Sequence, residues 1–399
     1  MGGRRPGVGW LLSALLVVVM ATGAAARTLD LDAAEIRRLL SHGPWPVVSP
    51  RDPSNAVSGM PAAVALGQRL FFEARLSVNG AVACATCHVP ARGWTDGRAR
   101  AVGLRHGDRN TPTLLDVALH RWFSWDGRAD SLWAQSLRPI VDAREMGASG
   151  DHVLRLLRDD RALACLHDRA YGMPPPADPE RALAHAGKAL AAFLETVRTG
   201  RAPFDDFRDA LARGDTEAAA RYPPAARRGA QLFVKHQCWV CHVGPAFTNG
   251  EFHDVGVPYA LPGGGVDAGR AEGIKKLRAD RFNLLGPWSD DRSGEAAVKT
   301  RHVQASHANF GQFKTPSLRN LTHTAPYMHD GRYATLREAV RHYSELDMER
   351  IHTHGEQLLR SLKLTPGEID EMVAFLESLS DPHAARAPGA PPRVEGCAP

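Results

Sequence analysis

Residues 84–88 read CATCH and residues 238–242 read CWVCH, so Cys-x-x-Cys-His occurs twice in a chain of 399 residues. This is the attachment signature of c-type haem. The spacing suits the chemistry: each cysteine pair, Cys84 with Cys87 or Cys238 with Cys241, adds to the two vinyl groups of one porphyrin. The next residue, His88 or His242, then lies under the iron as its proximal ligand. Other readings fit less well. A redox dithiol has no use for the histidine, a zinc site wants further ligands at matching spacing, and a disulfide across two residues is strained. Two covalently bound haem c groups are therefore the expected cofactors.

Outward from these motifs the two halves continue to match. Gly67, Leu70 and Phe71 precede the first motif as Gly229, Leu232 and Phe233 precede the second. Thr111-Pro112-Thr113-Leu114 follows the first and Thr315-Pro316-Ser317-Leu318 the second. Asp126-Gly127-Arg128 and Asp330-Gly331-Arg332 come next, each 15 residues after its Thr-Pro. Equal spacing between independent motifs indicates a duplicated unit with one haem per copy. The second copy carries an insertion, because 77 residues separate Cys238 from Thr315 where 27 separate Cys84 from Thr111.

The periodicity is helical. Thr365-Pro366-Gly367-Glu368 reads as a capping box with proline in the first turn, and Ile369, Met372, Val373, Leu376 and Leu379 then share one face. Asp151 to Leu166 and Pro179 to Val197 repeat the pattern, and sustained strand alternation is missing. The expected fold is mainly α: two cytochrome c-like helical domains related by internal duplication, each wrapping one haem. Residues 27–215 form the N-terminal domain in this reading, 216–381 the C-terminal domain, and 382–399 a disordered Pro/Ala-rich tail. Cys165 and Cys397 are left over, as two unrelated thiols or a mutual disulfide.

Residues 1–26 read as an export signal, with Arg4 and Arg5, an apolar run from Trp10 to Met20, and a small-residue site at Ala24, Ala25 and Ala26. The expected location is the periplasm, where c-type haem is attached. Hydrophobic residues at 44% and charged ones at 23% exclude a multi-span membrane protein and a disordered chain. The net charge of +5 is spread along the sequence without aromatic interleaving, so no nucleic acid is expected as a partner.

Aligning the copies singles out one position. Seven residues past Leu336 stands Tyr343, and seven past Leu132 stands Pro139. If that position faces the distal side, Tyr343 or its neighbour His342 can ligate the second iron, while proline leaves the first one open. A closed haem suits electron transfer and an open one can activate a small oxidant. Glu145 lies six residues past Pro139, either as a proton carrier for peroxide cleavage or as a solvated charge beside Asp142 and Arg144. Trp125 is either an electron relay between the haems or a buried indole.

The chain resembles the bacterial di-haem cytochrome c peroxidase and MauG family from about Leu66 to Leu379. LGQRLFFEARLS, RNTPTLL, WDGRADSLWAQ, PIVDAREMG, GAQLFVKHQCWVCH, FKTPSLRN, LTHTAPYMHDGRYATLREAV and TPGEIDEMVAFLESL carry the resemblance. It implies a peroxidatic haem in the N-terminal domain and an electron-transfer haem in the C-terminal one. It also implies that Glu145 is the catalytic glutamate, Gln135 the distal glutamine and Trp125 the tryptophan between the haems. One calcium ion is implied between the domains, at Asn110 and carbonyls near the second Thr-Pro. Two departures stand out. Tyr343 replaces the distal methionine of the better-known peroxidases, as in MauG, and the loop that carries their removable histidine ligand is short. His106 lies in that loop, so the N-terminal haem is open at rest, or ligated by His106. The expected partners are hydrogen peroxide and a small c-type cytochrome or cupredoxin as electron donor. A specific protein substrate is the MauG-like alternative, a non-catalytic di-haem electron carrier is a third reading, and a homodimer is common among relatives.

Overall fold

The computed structural model describes residues 1–3, 29–350, 359–390 and 392–397. The export-signal reading, from Arg4 to Ala26, lies outside them. Among the described residues the chain runs through α1 (Ala33–Leu40), α2 (Pro61–Phe71), α3 (Cys84–Cys87), α4 (Leu132–Val141), α5 (Gly150–Asp159), α6 (Arg161–Tyr171) and α7 (Pro179–Leu194). It continues through α8 (Pro203–Ala212), α9 (Thr216–Ala220), α10 (Pro224–Lys235), α11 (Arg270–Ala279), α12 (Val298–His302), α13 (Leu336–Ser344) and α14 (Pro366–Glu377). The sheet content is one antiparallel ribbon, β1 (Phe252–His253) with β2 (Phe313–Lys314), pairing Phe252 with Lys314. No described helix is long and apolar enough to cross a membrane.

The duplication is visible as one helix crossing made twice. In the first half α2 crosses α7, and in the second α10 crosses α14. Gly67 and Gly229 sit at the contact points: a Cβ there would stand 1.9 Å from the Ala189 carbonyl oxygen and 2.0 Å from that of Glu371. Phe193 and Phe375, four residues past those carbonyls, press on the same glycines. Leu70 with Phe71, and Leu232 with Phe233, follow one turn later and are buried, each fully buried side chain being worth about 1.5–3 kcal/mol. The glycine-to-LeuPhe spacing seen in both halves is thus a packing requirement.

Caps set the helix starts as the sequence indicated. Thr365 Oγ1 accepts from the Glu368 N–H while Glu368 Oε2 accepts from the Thr365 N–H, closing the box that begins α14. Ser131 and Thr335 cap α4 and α13 at equivalent points. The stretch from Asp151 to Leu166 is two helices, because Asp160 turns extended and its carboxylate accepts from the Ala162 and Leu163 N–H groups, starting α6.

Chain order and core membership do not coincide throughout the described residues. The cores do not divide at residue 215: Leu39 of α1 and Phe204 and Phe207 of α8 pack with Phe233, Phe247 and Phe375 in the second core. In exchange, Phe282, Leu284 and Ala297 of the insertion join the first. The tail is also ordered where it is described. Ala384 is buried in the first core, the Gly389 carbonyl accepts from Gln68 Nε2 at 2.7 Å, and Cys397 forms a disulfide with Cys165 of α6. Pro/Ala-rich composition left this tail without local structure of its own; fixed contacts hold it.

Gly67→Ala should lower the unfolding free energy by about 2 kcal/mol despite the better helix propensity of alanine. The exposed Gly367→Ala, which meets nothing within 4 Å, should leave it unchanged or raise it. Thermal unfolding of the two variants checks the comparison.

Candidate active site

Each Cys-x-x-Cys-His closes a tight turn that brings its histidine back over its cysteines: the His88 N–H donates to the Cys84 carbonyl at 2.9 Å and the His242 N–H to that of Cys238 at 3.0 Å. The rings are held alike. His88 Nδ1 donates to the Trp94 carbonyl and His242 Nδ1 to the Phe247 carbonyl, both at 3.0 Å. A carbonyl can only accept, so Nδ1 carries the proton and Nε2 keeps its lone pair for a metal. Burial favours the neutral form, lowering the pKa of His88 and taking His242 down to about 4. None of the four cysteines is in a disulfide among the described residues. Burial pushes the Cys84 and Cys238 thiols up to about 12, opposite to the lowered values of redox-active dithiols.

Both motifs open onto one cavity of about 750 Å³, with His88 and His242 in its walls. The donor set suits two haems: paired thiols, neutral imidazoles, and polar wall groups left for the porphyrin carboxylates. Thr111 Oγ1 and His236 Nε2, both on the wall, are buried without a hydrogen-bond partner among the described residues. Lys314 Nζ donates to the Trp122 carbonyl at 3.1 Å and to no other acceptor among the described residues.

Across this cavity the two halves differ. Pro139 and Tyr343 occupy the eighth positions of α4 and α13, and both line it. Burial and the nearby thiols of Cys238 and Cys241 raise the Tyr343 pKa. His342 is eliminated as a ligand, because its Nδ1 meets the Tyr333 hydroxyl at 3.0 Å and its Nε2 the Val255 carbonyl at 2.7 Å. His106 is exposed and forms no part of the cavity wall, so the structure does not bring it to the first centre. Glu145 opens onto the cavity; burial and the Asp142 charge raise its pKa. Its neighbour Arg144 pairs instead with Asp108, at 2.6 Å. Gln135 accepts from the Ser124 hydroxyl at 2.9 Å, which leaves its NH₂ for the cavity.

A family model describing di-haem cytochrome c peroxidase matches residues 61–213. The methylamine utilization protein MauG of Methylorubrum extorquens is 35% identical over 378 residues, covering 94% of this chain and 94% of its own. The chain belongs to this di-haem peroxidase family. The cytochrome-c peroxidase IdrP2 of Pseudomonas sp. (strain SCT) is 34% identical, over 88% of this chain and 90% of its own. Among solved structures, a MauG-like protein associated with microbial copper homeostasis superposes with a TM-score of 0.66 at 27% identity, covering 88% of this chain and 99% of that one. Two haem c groups come with the family.

In this di-haem enzyme Trp125 sits where the halves meet. Its Nε1 donates to the Asn110 carbonyl at 2.9 Å, and its own carbonyl accepts from the Lys314 N–H at 2.8 Å. The Asn110 N–H in turn donates to the His329 carbonyl at 2.8 Å, and Asn110 Nδ2 to that of Arg98 at 2.8 Å. Trp125 and His329 each stand just before an Asp-Gly-Arg, and Asn110 and Lys314 just before a Thr-Pro. The interface thus repeats the duplication, and sequence reasoning passed over its second-copy members, Lys314 and His329, although the aligned repeats mark them.

Replacing Cys84 and Cys87 together with serine should halve the haem per chain in a pyridine haemochrome assay. Retention of the full amount would show that the first motif does not attach haem.

Proposed function

We propose that this di-haem peroxidase reduces hydrogen peroxide to water at its N-terminal centre, with electrons entering through the C-terminal one. The observation that carries this reading is the difference between Pro139 and Tyr343 at equivalent helix positions on one cavity. Bound at the two motifs, the haem irons supply one-electron steps and the position where peroxide is reduced. His88 and His242 would hold them through Nε2, which the Nδ1–carbonyl bonds leave available.

Proline offers no ligand, so the N-terminal distal side stays open. Tyr343 presents a phenolic oxygen on the other side; with its pKa raised, it remains neutral until a metal displaces the proton. Reduction of peroxide consumes two electrons and two protons per molecule. The Glu145 carboxylate takes the proton from the inner peroxide oxygen and returns it to the outer one, which leaves as water. The Gln135 NH₂ donates to the bound oxidant, and Trp125 relays electrons between the halves.

The donor in this reading is a small c-type cytochrome or cupredoxin, met in the periplasm after export through residues 1–26. One calcium ion bound at Asn110 would stiffen the interface, where the Thr315 carbonyl near the second Thr-Pro already accepts from Thr248 Oγ1 at 2.7 Å. Tyr343 also favours a second reading, oxidation of side chains on a protein substrate as in MauG.

Glu145→Gln should lower kcat/KM for peroxide about a hundredfold. Because the carboxyl pKa is raised and the ionised form is the base, wild-type activity should fall with acid at a pH above the ordinary glutamate value; this limb should vanish in the variant. An unchanged pH profile would remove Glu145 from the mechanism. Tyr343→Phe should raise the reduction potential of the C-terminal haem, since phenolate stabilises ferric iron, while His342→Gln should leave that haem's distal ligation intact. Spectroelectrochemical titration of both variants decides this.

A further inference from the structure

Arg109 is the most heavily engaged charge beside the cavity. Its Nη1 lies 2.8 Å from Asp126 Oδ2, and its Nη2 and Nε reach the two Asp267 oxygens at 2.7 and 2.8 Å. All three side chains are largely buried. Asp126 is the residue after Trp125 and is also held by Arg128 at 2.6 Å. Asp267 belongs to the insertion found only in the second copy. The guanidinium also stands 5.4 Å from the centre of the Phe313 ring.

The hydrogen bonds of Trp125 to Asn110 and Lys314 run to neighbours of this group. The indole N–H donates to the carbonyl of Asn110, the residue after Arg109. The Trp125 carbonyl accepts from Lys314, the residue after Phe313. The chain beyond Trp125 is tied through Asp126. A bidentate Arg–carboxylate pair fixes direction as well as distance, so the insertion is locked in register with the tryptophan.

We propose that Arg109, clamped by Asp267, is a positioning residue that fixes the Trp125 indole between the two haem centres. This rests on the reading of Trp125 as the electron relay. The clamp gives the insertion a task in the reaction: it supplies the carboxylate that completes the hold on the relay. The residues act by geometry and do not themselves carry electrons.

The test uses the full-length protein with both haems, reduced by one electron in a fast pulse, with the rate of transfer between haems as the readout. Trp125→Phe should slow this transfer markedly, and Asp267→Asn should slow it on the order of tenfold, as expected of a displaced relay. In a Trp125→Phe background, Asp267→Asn should add no further slowing. The indole N–H Raman band that Trp125→Phe removes should shift in Asp267→Asn. Arg109→Lys, which cannot make the bidentate pair, should reproduce both effects and serves if Asp267→Asn loses haem or folds poorly. Slow transfer in Trp125→Phe with unchanged rate and band in the clamp variants overturns the clamp alone. Equal slowing by Asp267→Asn with and without Trp125 also overturns it. Unchanged transfer in Trp125→Phe overturns the relay reading and the clamp with it.

Discussion

Two main-chain hydrogen bonds tie the halves together at the point where the chemistry needs them joined. Asn110 in the first half donates to His329 in the second, and Lys314 in the second donates to Trp125 in the first, both at 2.8 Å. Each bond nets only about 1 kcal/mol, but a buried donor or acceptor left unpaired costs about 1–3 kcal/mol. The halves are therefore held in one register, and the two Cys-x-x-Cys-His motifs share one cavity instead of opening into two. The distance an electron must cover is set by this pairing, with Trp125 as one of its four members.

The duplicated plan explains why so much was legible. Two haem signatures mark two imidazoles, and the aligned repeats put Pro139 and Tyr343 at one helical position; the carbonyls that orient the imidazoles are visible only in the fold. Gly67 and Gly229 were legible as a repeat, but their reason, a neighbouring carbonyl 1.9–2.0 Å from a would-be Cβ, belongs to the crossing helix. Other features left no local trace. The apolar stripes of α1 and α8 say only that they must be buried, and they chose the core that lies later in the chain. Glu145 reads as one charge among several, because sequence alone does not show that it opens onto the cavity shared with His88. The pairing of Cys165 with Cys397 depends on a tail path that composition cannot supply.

Apart from the insertion in the second copy, the two copies share one frame. Both histidines are half-buried, line the cavity and are tied through Nδ1 to a backbone carbonyl, so the two motifs present their imidazoles alike. The distal sides carry the difference: proline against tyrosine, with a carboxylate of raised pKa beside the open centre. An electron-transfer haem gains from a fixed sixth ligand, whereas an oxidant-binding haem requires a vacant position and a proton carrier.

The crossings of the chain bear on whether the open centre needs a rearrangement to become active. Residues from α1 and α8 are buried in the second core, while Phe282, Leu284, Ala297 and Ala384 from the second half are buried in the first. The Cys165–Cys397 disulfide closes the tail over the first domain. A hinge motion that parted the halves would expose apolar surface on both sides, at about 25 cal/mol per Å², and would break the buried Arg109 pairs as well. His106 stands outside the cavity wall, in keeping with the proposal that the first centre is open at rest. Both arguments favour a peroxidatic site assembled in the resting protein over one opened by domain movement.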